Sequence, residues 1–466
     1  MLKKLRIRNF KGWQDTGDIC FSPITLFFGA NSSGKSSIGQ FLMLLKQTTE
    51  SSDRKSVFFL GNQNSHVQLG TYKDIVFQHD LSNEISFSYS WDIPTPIQFK
   101  VEEKTIVGNV IDFEAKLKIS ENQNLPKVGN IKYILSKNDE KQFNINLSLI
   151  DKKGYFLESD TYKVKRSEGR HWNMQSTVRF YGFPDEANVY YRNVSYLQLL
   201  NYEQEKLFHR FYYLGPLRSK PGRIYSWPGN EPDGVGDAGE NTVSAILAAH
   251  DRKINLGNRR PYHDFEIVIA EALKKLGLID HFSVRNIAAE QNRREYEVSL
   301  RTKGAHEDVL LPDVGFGVSQ VLPVLVACYY APRNSIIVME QPEIHLHPSA
   351  QAALADVMID VIHSKEKEKD RNIQLIIETH SEHFLRRLQR RIAEDKEIKE
   401  GKRLKDMITG YFVDTTNYPV SLEPLDIDLF GHISNWPKDF FGDEIGDITA
   451  QMNAGLKKRA KLDKGK

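Results

Sequence analysis

The sequence predicts an α/β protein: a mixed, mainly parallel sheet with flanking helices, carrying an inserted antiparallel β lobe. Three observations point there. A short apolar run, Ile24 to Phe28, leads into a glycine-rich loop and then a helical pattern. Two more buried runs, Ser335 to Met339 and Ile373 to Ile377, each end in polar residues and precede another helical pattern. Between these halves, residues 80–212 are β-rich and broken by turn residues.

The elements follow in order. LKKLRIRNF alternates apolar and basic side chains, as a half-buried strand does. Ile24 to Phe28 has no polar face, which fits a strand covered on both sides. Ile38, Phe41, Leu42 and Leu45 share one helical face. EISFSYSWDI, IQFKVEEKTI, VIDFEAKLKIS, IKYILSK and FNINLSLI read as short strands of the lobe. TVSAILAAH and DFEIVIAEALKKL return to helix, and Leu354, Val357, Met358 and Val361 mark a helical face before the run at 373. No heptads persist, so no long coiled coil is expected. This gives four segments: 1–79 with the phosphate loop, the lobe at 80–212, the second half of the α/β unit at 213–420, and a C-terminal segment at 421–466. The tail from Lys457 carries six basic residues and one acid and reads as a solvated, disordered end.

Composition narrows the class. The 63 Lys+Arg and 61 Asp+Glu leave a formal charge of +2, so no strong overall field draws the chain to nucleic acid or anionic membrane. The longest apolar stretch, Val321 to Ala331, is short of the ~20 residues a membrane span needs, and the N-terminus has no apolar segment of a secretory signal. Two cysteines, Cys20 and Cys328, exclude a disulfide framework and a four-thiolate zinc site. A cytoplasmic protein is expected.

The chemistry concentrates in a few motifs. Gly29-Ala30-Asn31-Ser32-Ser33-Gly34-Lys35-Ser36 matches G-x-x-x-x-G-K-[ST], between a buried strand and an amphipathic helix opened by Ser37. Its glycines let successive N–H groups converge on phosphate oxygens, and the helix N-terminus adds partial positive charge. Lys35 is placed to reach the β- and γ-phosphates of ATP, and the Ser36 hydroxyl to ligate Mg²⁺. Gly234 to Gly239 also reads G-x-G-x-x-G, but no strand runs into it, and a surface or interface loop is the better reading. Ser335 to Glu340 puts a carboxylate at the C-terminal edge of a strand, where open α/β sheets gather ligand groups. Gln341-Pro342-Glu343-Ile344-His345-Leu346-His347-Pro348 follows. The strand at 373 ends in Glu378-Thr379-His380-Ser381, and Gly315-Phe316-Gly317-Val318-Ser319-Gln320 opens an apolar helix upstream.

In this order the motifs resemble the ABC-type ATPases of the RecF, SMC and OLD group. E-x-P-E-I-H-L-H-P and E-T-H-S are especially similar to bacterial ATPases of the OLD/AAA-15 type in anti-phage defence. NWPKDFFGDEIGDI resembles an uncharacterised C-terminal domain attached to some of them. The resemblance covers residues 1–50 and about 210–450. It implies an ABC-type head that sandwiches ATP and Mg²⁺ between two copies, one supplying the phosphate loop and the other a signature turn. Gly315, Gly317, Ser319 and Gln320 take the signature position, Glu340 the acidic Mg²⁺/water position and His380 the switch position. Leu346-His347-Pro348 falls where two heads exchange contacts. One position departs from the pattern: the general-base glutamate after Glu340 is replaced by Gln341, with Glu343 the nearest other carboxylate. Hydrolysis then is slow, uses Glu343, or rests on water positioning and electrostatics. His345 and His347 read as a contact loop rather than metal ligands.

Weaker candidates are Gln68 or Gln78 as a link between the Mg²⁺ site and the lobe. Arg386, Arg387, Arg390 and Arg391, like Arg252, Lys253, Arg259 and Arg260, read as solvated faces ahead of phosphate-backbone contacts. OLD-type proteins that act alone carry a nuclease domain after the ATPase, and 86 residues after His380 are too few for one. The expected role is therefore a slow ATPase that dimerises through composite sites and regulates a separate effector, such as a nuclease. The alternatives are a RecF-like repair ATPase that binds nucleic acid directly and an ATP-gated scaffold with negligible turnover.

Overall fold

The computed structural model describes residues 1–119, 125–150, 153–169, 173–174, 176–257, 260–287, 294–397, 399–401, 403–437 and 444–463. Its centre is a six-stranded sheet in the order Phe211–Leu214, Ile336–Glu340, Gln374–Glu378, Ile24–Gly29, Ile408–Asp414 and Ser421–Pro424. The first five run parallel and the last is antiparallel. Side chains alternate between two cores across it. Phe27, Val338 and Ile376 enter one, while Leu26, Phe28, Ile337, Met339, Leu375 and Ile377 enter the other. Continuous apolar runs are therefore what these strands need, since neither face meets water.

The second core is closed by helices Phe265–Lys275, Phe316–Tyr330, Pro348–Ile362 and Glu382–Glu394. The first is closed by helix Lys35–Glu50 and by a large antiparallel sheet. That sheet holds the lobe hairpins Ser86–Val101, Lys104–Ile119, Pro126–Lys137, Glu140–Ile150 and Gly154–Glu158. The sequence broke Ser86–Val101 into two strands at Pro94 and Pro96, but it continues through a register shift between Asp92 and Ile97.

The N-terminal strand, Leu2–Phe10, belongs to this antiparallel sheet and pairs with Ser86–Val101. The boundary expected at residue 80 thus falls inside one sheet. Its alternating pattern seats Leu2, Leu5, Ile7 and Phe10 in the first core. Gln374 fastens the two sheets: Leu2 N donates to its Oε1 at 3.0 Å, and its Nε2 donates to Leu2 O at 2.9 Å. The C-terminal hairpin of Ile408–Asp414 and Ser421–Pro424 likewise spans the boundary expected at 421.

Two more features were not foreseen. Ile279–Asn286 and Glu295–Thr302 pair antiparallel ahead of the Gly315 turn. Of the tail expected to be disordered, residues 457–463 lie instead in helix Glu444–Asp463, whose Ala, Leu, Met, Lys and Arg are strong helix formers, and residues 464–466 are outside the described residues. Among the described residues no helix is long and apolar enough to cross a membrane.

Candidate nucleotide-binding site

The loop between Ile24–Gly29 and Lys35–Glu50 has the backbone its glycines permit. Gly29 sits at φ +144°, where a Cβ would lie 3.1 Å from both Ser33 Oγ and Val413. Gly34 is left-handed at φ +99°, and its carbonyl accepts from the fully buried Trp13 indole at 3.1 Å. Asn31 and Ser32 are exposed at the crest, while Ser33 and Ser37 are buried. The Lys35 ammonium folds back on the loop, donating to Ala30 O at 2.6 Å, Gly29 O at 3.0 Å and Ser33 Oγ at 3.4 Å. Burial lowers its proton affinity, and the Glu378 carboxylate works against that shift. A buried cation held by neutral carbonyls has charge left for a phosphate.

Beside the loop, the parallel strands place two carboxylates in register. Phe27 lies opposite Glu378, and Glu378 opposite Glu340. Ser36 Oγ donates to Glu378 Oε1 at 3.0 Å. Glu340 Oε1 accepts from the Tyr213 hydroxyl at 2.7 Å, and its backbone carbonyl accepts from Arg218 Nη2 at 3.3 Å. Burial raises the Glu340 carboxyl to about 7; the nearby Glu378 adds to this, while Tyr213, Arg218 and Lys11 oppose it. Burial also raises Glu378, against the pull of Ser36 and Lys35. Two carboxylates drawn out of water side by side favour a cation between them and the phosphates.

Gln341 turns the chain out of the strand at φ +45°, with its N–H donating to Glu378 O at 2.8 Å. Glu343 is 6% exposed, and its Oε1 accepts from the His380 N–H at 2.8 Å. Glu343 therefore braces the loop carrying His380. Its Oε2 is buried without a hydrogen-bond partner. His380 is half-buried, and burial together with the Lys35 charge keeps its imidazole neutral-leaning.

The Gly315–Gln320 turn packs against the Gln341–Pro348 loop of the same chain. Gly315 and Phe316 are exposed, the Phe316 and His345 rings lie 6.2 Å apart, and a Cβ at Gly317 would sit 3.3 Å from His345 O. Ser319 turns its hydroxyl inward to Phe316 O at 3.0 Å, and Gln320 is half-buried. His347 has a structural task, capping helix Pro348–Ile362 by accepting from Ser349 N at 3.3 Å.

The weaker candidates lie elsewhere. Gln68 is exposed, and Gln78 donates to the Tyr418 hydroxyl at 3.1 Å. Arg387 and Arg391 pair with the buried Asp356, Arg386 with Glu382 and Arg390 with Glu394. Arg252 pairs with Glu366, Lys253 with Asp264 and Arg260 with Asp360; Arg259 is outside the described residues. The loop Gly234–Gly239 packs on the strand exit, Asp237 O accepting from Gly215 N at 2.8 Å.

Sequence reasoning missed three groups: Glu378, Tyr213 and Arg218. Glu378 stood in view next to His380, but only the strand order puts it beside Ser36. Tyr213 and Arg218 follow no motif; the one signal was the tyrosine pair inside the short strand Phe211–Leu214.

The donor set suits ATP and Mg²⁺. Among the described residues no group of three or more His, Cys, Asp or Glu could hold a metal ion. What the strand ends bring to the loop is a pair of carboxylates beside the Ser36 hydroxyl, hard oxygen donors of the kind Mg²⁺ uses when phosphates and water complete its shell.

A strand, glycine-rich loop and helix carrying Lys35 and Ser36, with carboxylates at the same sheet edge, define a P-loop ATPase. The chain belongs to the AAA_21 family, whose description reads "AAA domain, putative AbiEii toxin, Type IV TA system", matched over residues 24–386. Residues 406–451 match a protein of unknown function, DUF3696. No curated protein matches the chain in sequence. Among solved structures, it is similar to the SmcHead bound to the C-winged helix domain of ScpA, at 11% identity and a TM-score of 0.39, covering 91% of this chain and 98% of that one. The SMC head domain from Thermotoga maritima matches at 12% identity and TM-score 0.39, covering 91% and 99%.

Proposed function

We propose that this chain is a slow, ABC-type ATPase of the cytoplasm that dimerises through composite ATP sites and regulates a separate effector, a nuclease of anti-phage defence being the class in view. The observation that carries the reading is the pairing of a cluster of buried Lys35, buried Glu378 and half-buried Ser36 with an exposed Gly315–Phe316 turn. The first is half of a phosphate site, and the second offers a helix N-terminus to a phosphate held by another copy.

In this reading Gly29, Asn31, Ser32, Ser33, Gly34 and Ser37 shape the loop whose N–H groups wrap the phosphates. Lys35 releases its loop carbonyls to take the β- and γ-phosphates. Ser36, Glu340 and Glu378 hold Mg²⁺, which when bound neutralises phosphate charge and orients the terminal group. Gln341 accepts from or donates to the attacking water but cannot take its proton, so turnover is slow. Glu343 fixes the backbone at His380, which faces the γ-phosphate. Gly315, Gly317, Ser319 and Gln320 of a second copy close the site. The β lobe and the helix Glu444–Asp463, whose Ile448, Met452 and Leu456 are exposed at i, i+4 and i+8, supply surface for the effector. The local ion pairing of the arginines gives direct nucleic-acid binding no added support.

Light scattering of the purified chain tests this. ATP is expected to double the mass, ADP to leave it unchanged, and single-turnover hydrolysis to be slow with or without duplex DNA. The chain alone should cut neither DNA nor RNA. A mass indifferent to ATP, or cleavage that persists through stringent repurification and is lost in a site variant of this chain, would sink the proposal.

A further inference from the structure

Motif order along the chain makes Glu340 the carboxylate that serves the cation. Strand order makes Glu378 the nearer candidate. The strand Gln374–Glu378 lies between Ile24–Gly29 and Ile336–Glu340. Neighbouring strands are about 4.8 Å apart, so Glu378 is one strand from the phosphate-loop strand and Glu340 is two, roughly 10 Å away. We propose that Glu378, paired with Ser36, is the protein carboxylate that chiefly holds the Mg²⁺ of this site. The inference rests on the ATPase reading above and assigns within it a residue that the family motifs leave without a task.

Three observations carry it. First, Ser36 Oγ and Glu378 Oε1 are 3.0 Å apart. Adjacent ligands of an octahedral ion with bonds of 2.0–2.1 Å lie about 2.9 Å apart, so the pair already has the spacing of two such ligands. Second, the Glu340 carboxylate is engaged on its other side, by the Tyr213 hydroxyl at 2.7 Å from the outer strand Phe211–Leu214. Third, the Glu378 backbone is fixed at the level of the loop: its carbonyl accepts from Gln341 N at 2.8 Å, and Thr379 N donates to Phe27 O at 3.1 Å. A carboxylate on a strand end held from both sides is preorganised, and it sits beside the one hydroxyl the loop dedicates to a cation. The simpler alternative is that Glu378 only accepts a hydrogen bond from Ser36. Glutamine would preserve that bond and remove the charge, which separates the two cases.

The test uses the full chain and two affinities. One is for ATP in the presence of a chelator, and the other is for Mn²⁺ binding to the ATP-loaded protein, followed by the paramagnetic resonance of the free ion. Glu378→Gln is expected to weaken Mn²⁺ by about tenfold or more. Metal-free ATP should bind equally well or tighter, because a negative charge near the phosphates is gone. Glu378→Asp should recover part of the Mn²⁺ affinity, and Glu340→Gln should weaken it by a smaller factor than Glu378→Gln does. Mn²⁺ affinity within twofold of wild type in Glu378→Gln overturns the assignment. So does a parallel loss of both affinities, which marks a purely structural role for Glu378, and so does a tenfold loss confined to Glu340→Gln. If the wild-type chain binds no ATP at all, the ATPase reading itself falls and takes this inference with it.

Discussion

The two large sheets use their strands differently. In the six-stranded sheet the parallel strands deliver Gly29, Glu340 and Glu378 to one edge, because every parallel strand enters its loop on the same side. In the antiparallel sheet successive strands leave on opposite sides, and hairpin turns consume the ends. Its side chains go instead into an aromatic core: Phe87, Tyr89, Phe113 and Tyr133 pack together, with Phe180 of a later turn against them. One sheet thus gathers polar chemistry at a line, and the other buries area. Substitutions in the two should separate cleanly, with binding lost from the first and stability from the second.

Phe113→Ala should have the largest effect on stability. The ring is 1% exposed and packs on Tyr89 at 5.0 Å and Tyr133 at 4.8 Å between centroids. Removing it should cost about 3–5 kcal/mol. This reads as a lower denaturation midpoint with unchanged ATP affinity in the folded protein. Loss of ATP affinity at temperatures where the variant is folded would break the separation.

Lys35→Ala is the mirror case. It should lower ATP affinity by about two orders of magnitude, since a phosphate charge is left unpaired in a site with little water. Its thermal midpoint should stay near wild type, because the lysine is held only by loop carbonyls and a serine. Wild-type affinity in equilibrium dialysis would refute the phosphate-loop assignment.

Within the polar edge, Glu340→Ala should slow single-turnover hydrolysis by about tenfold or more, and Gln341→Ala by less. One removes a charge and strands the Tyr213 hydroxyl; the other removes a neutral amide. The reverse order would make Gln341 the residue that organises the water. Glu343→Gln sharpens this: unchanged hydrolysis would mean that Glu343 is a brace for the His380 loop and not the base.

How much of this was legible in the sequence follows the same divide. The phosphate loop could be read because its glycines, lysine and serine carry their geometry within eight residues. The lobe could be read as β because alternation and turn residues are local. What could not be read depends on strand order. Nothing in the spacing of Glu378 says that its strand slides in between those of Gly29 and Glu340, and nothing in LKKLRIRNF says which sheet it joins. The arginines of helix Glu382–Glu394 looked like a basic face because Asp356, which neutralises Arg387 and Arg391, is about thirty residues away on another helix.

The smallest effect should come from the joint between the two regions. His66, from the segment leading to the lobe, contacts Asp237 through Nδ1 at 2.8 Å and Glu50 through Nε2 at 3.4 Å. Glu50 ends the phosphate-loop helix, and Asp237 O holds Gly215 next to Tyr213 and hence Glu340. Burial alone would lower the imidazole, but its bonds to Asp237 and Glu50 outweigh this and raise it to about 9. A histidine raised above its unfolded value of about 6.5 stabilises the fold fully below that pH. The contribution fades as pH rises through about 9, because the unfolded chain has already lost the proton that the folded chain must then give up. Allowing for the ring's partial exposure, about 2 kcal/mol is at stake. Wild-type stability in urea should therefore decline between pH 7 and 9.5, while that of His66→Gln starts lower and declines by less over the same range. Parallel curves for the two proteins would show that the imidazolium does not fasten the lobe segment to the site, and the two sheets would then have to be joined mainly through Gln374 and the shared core.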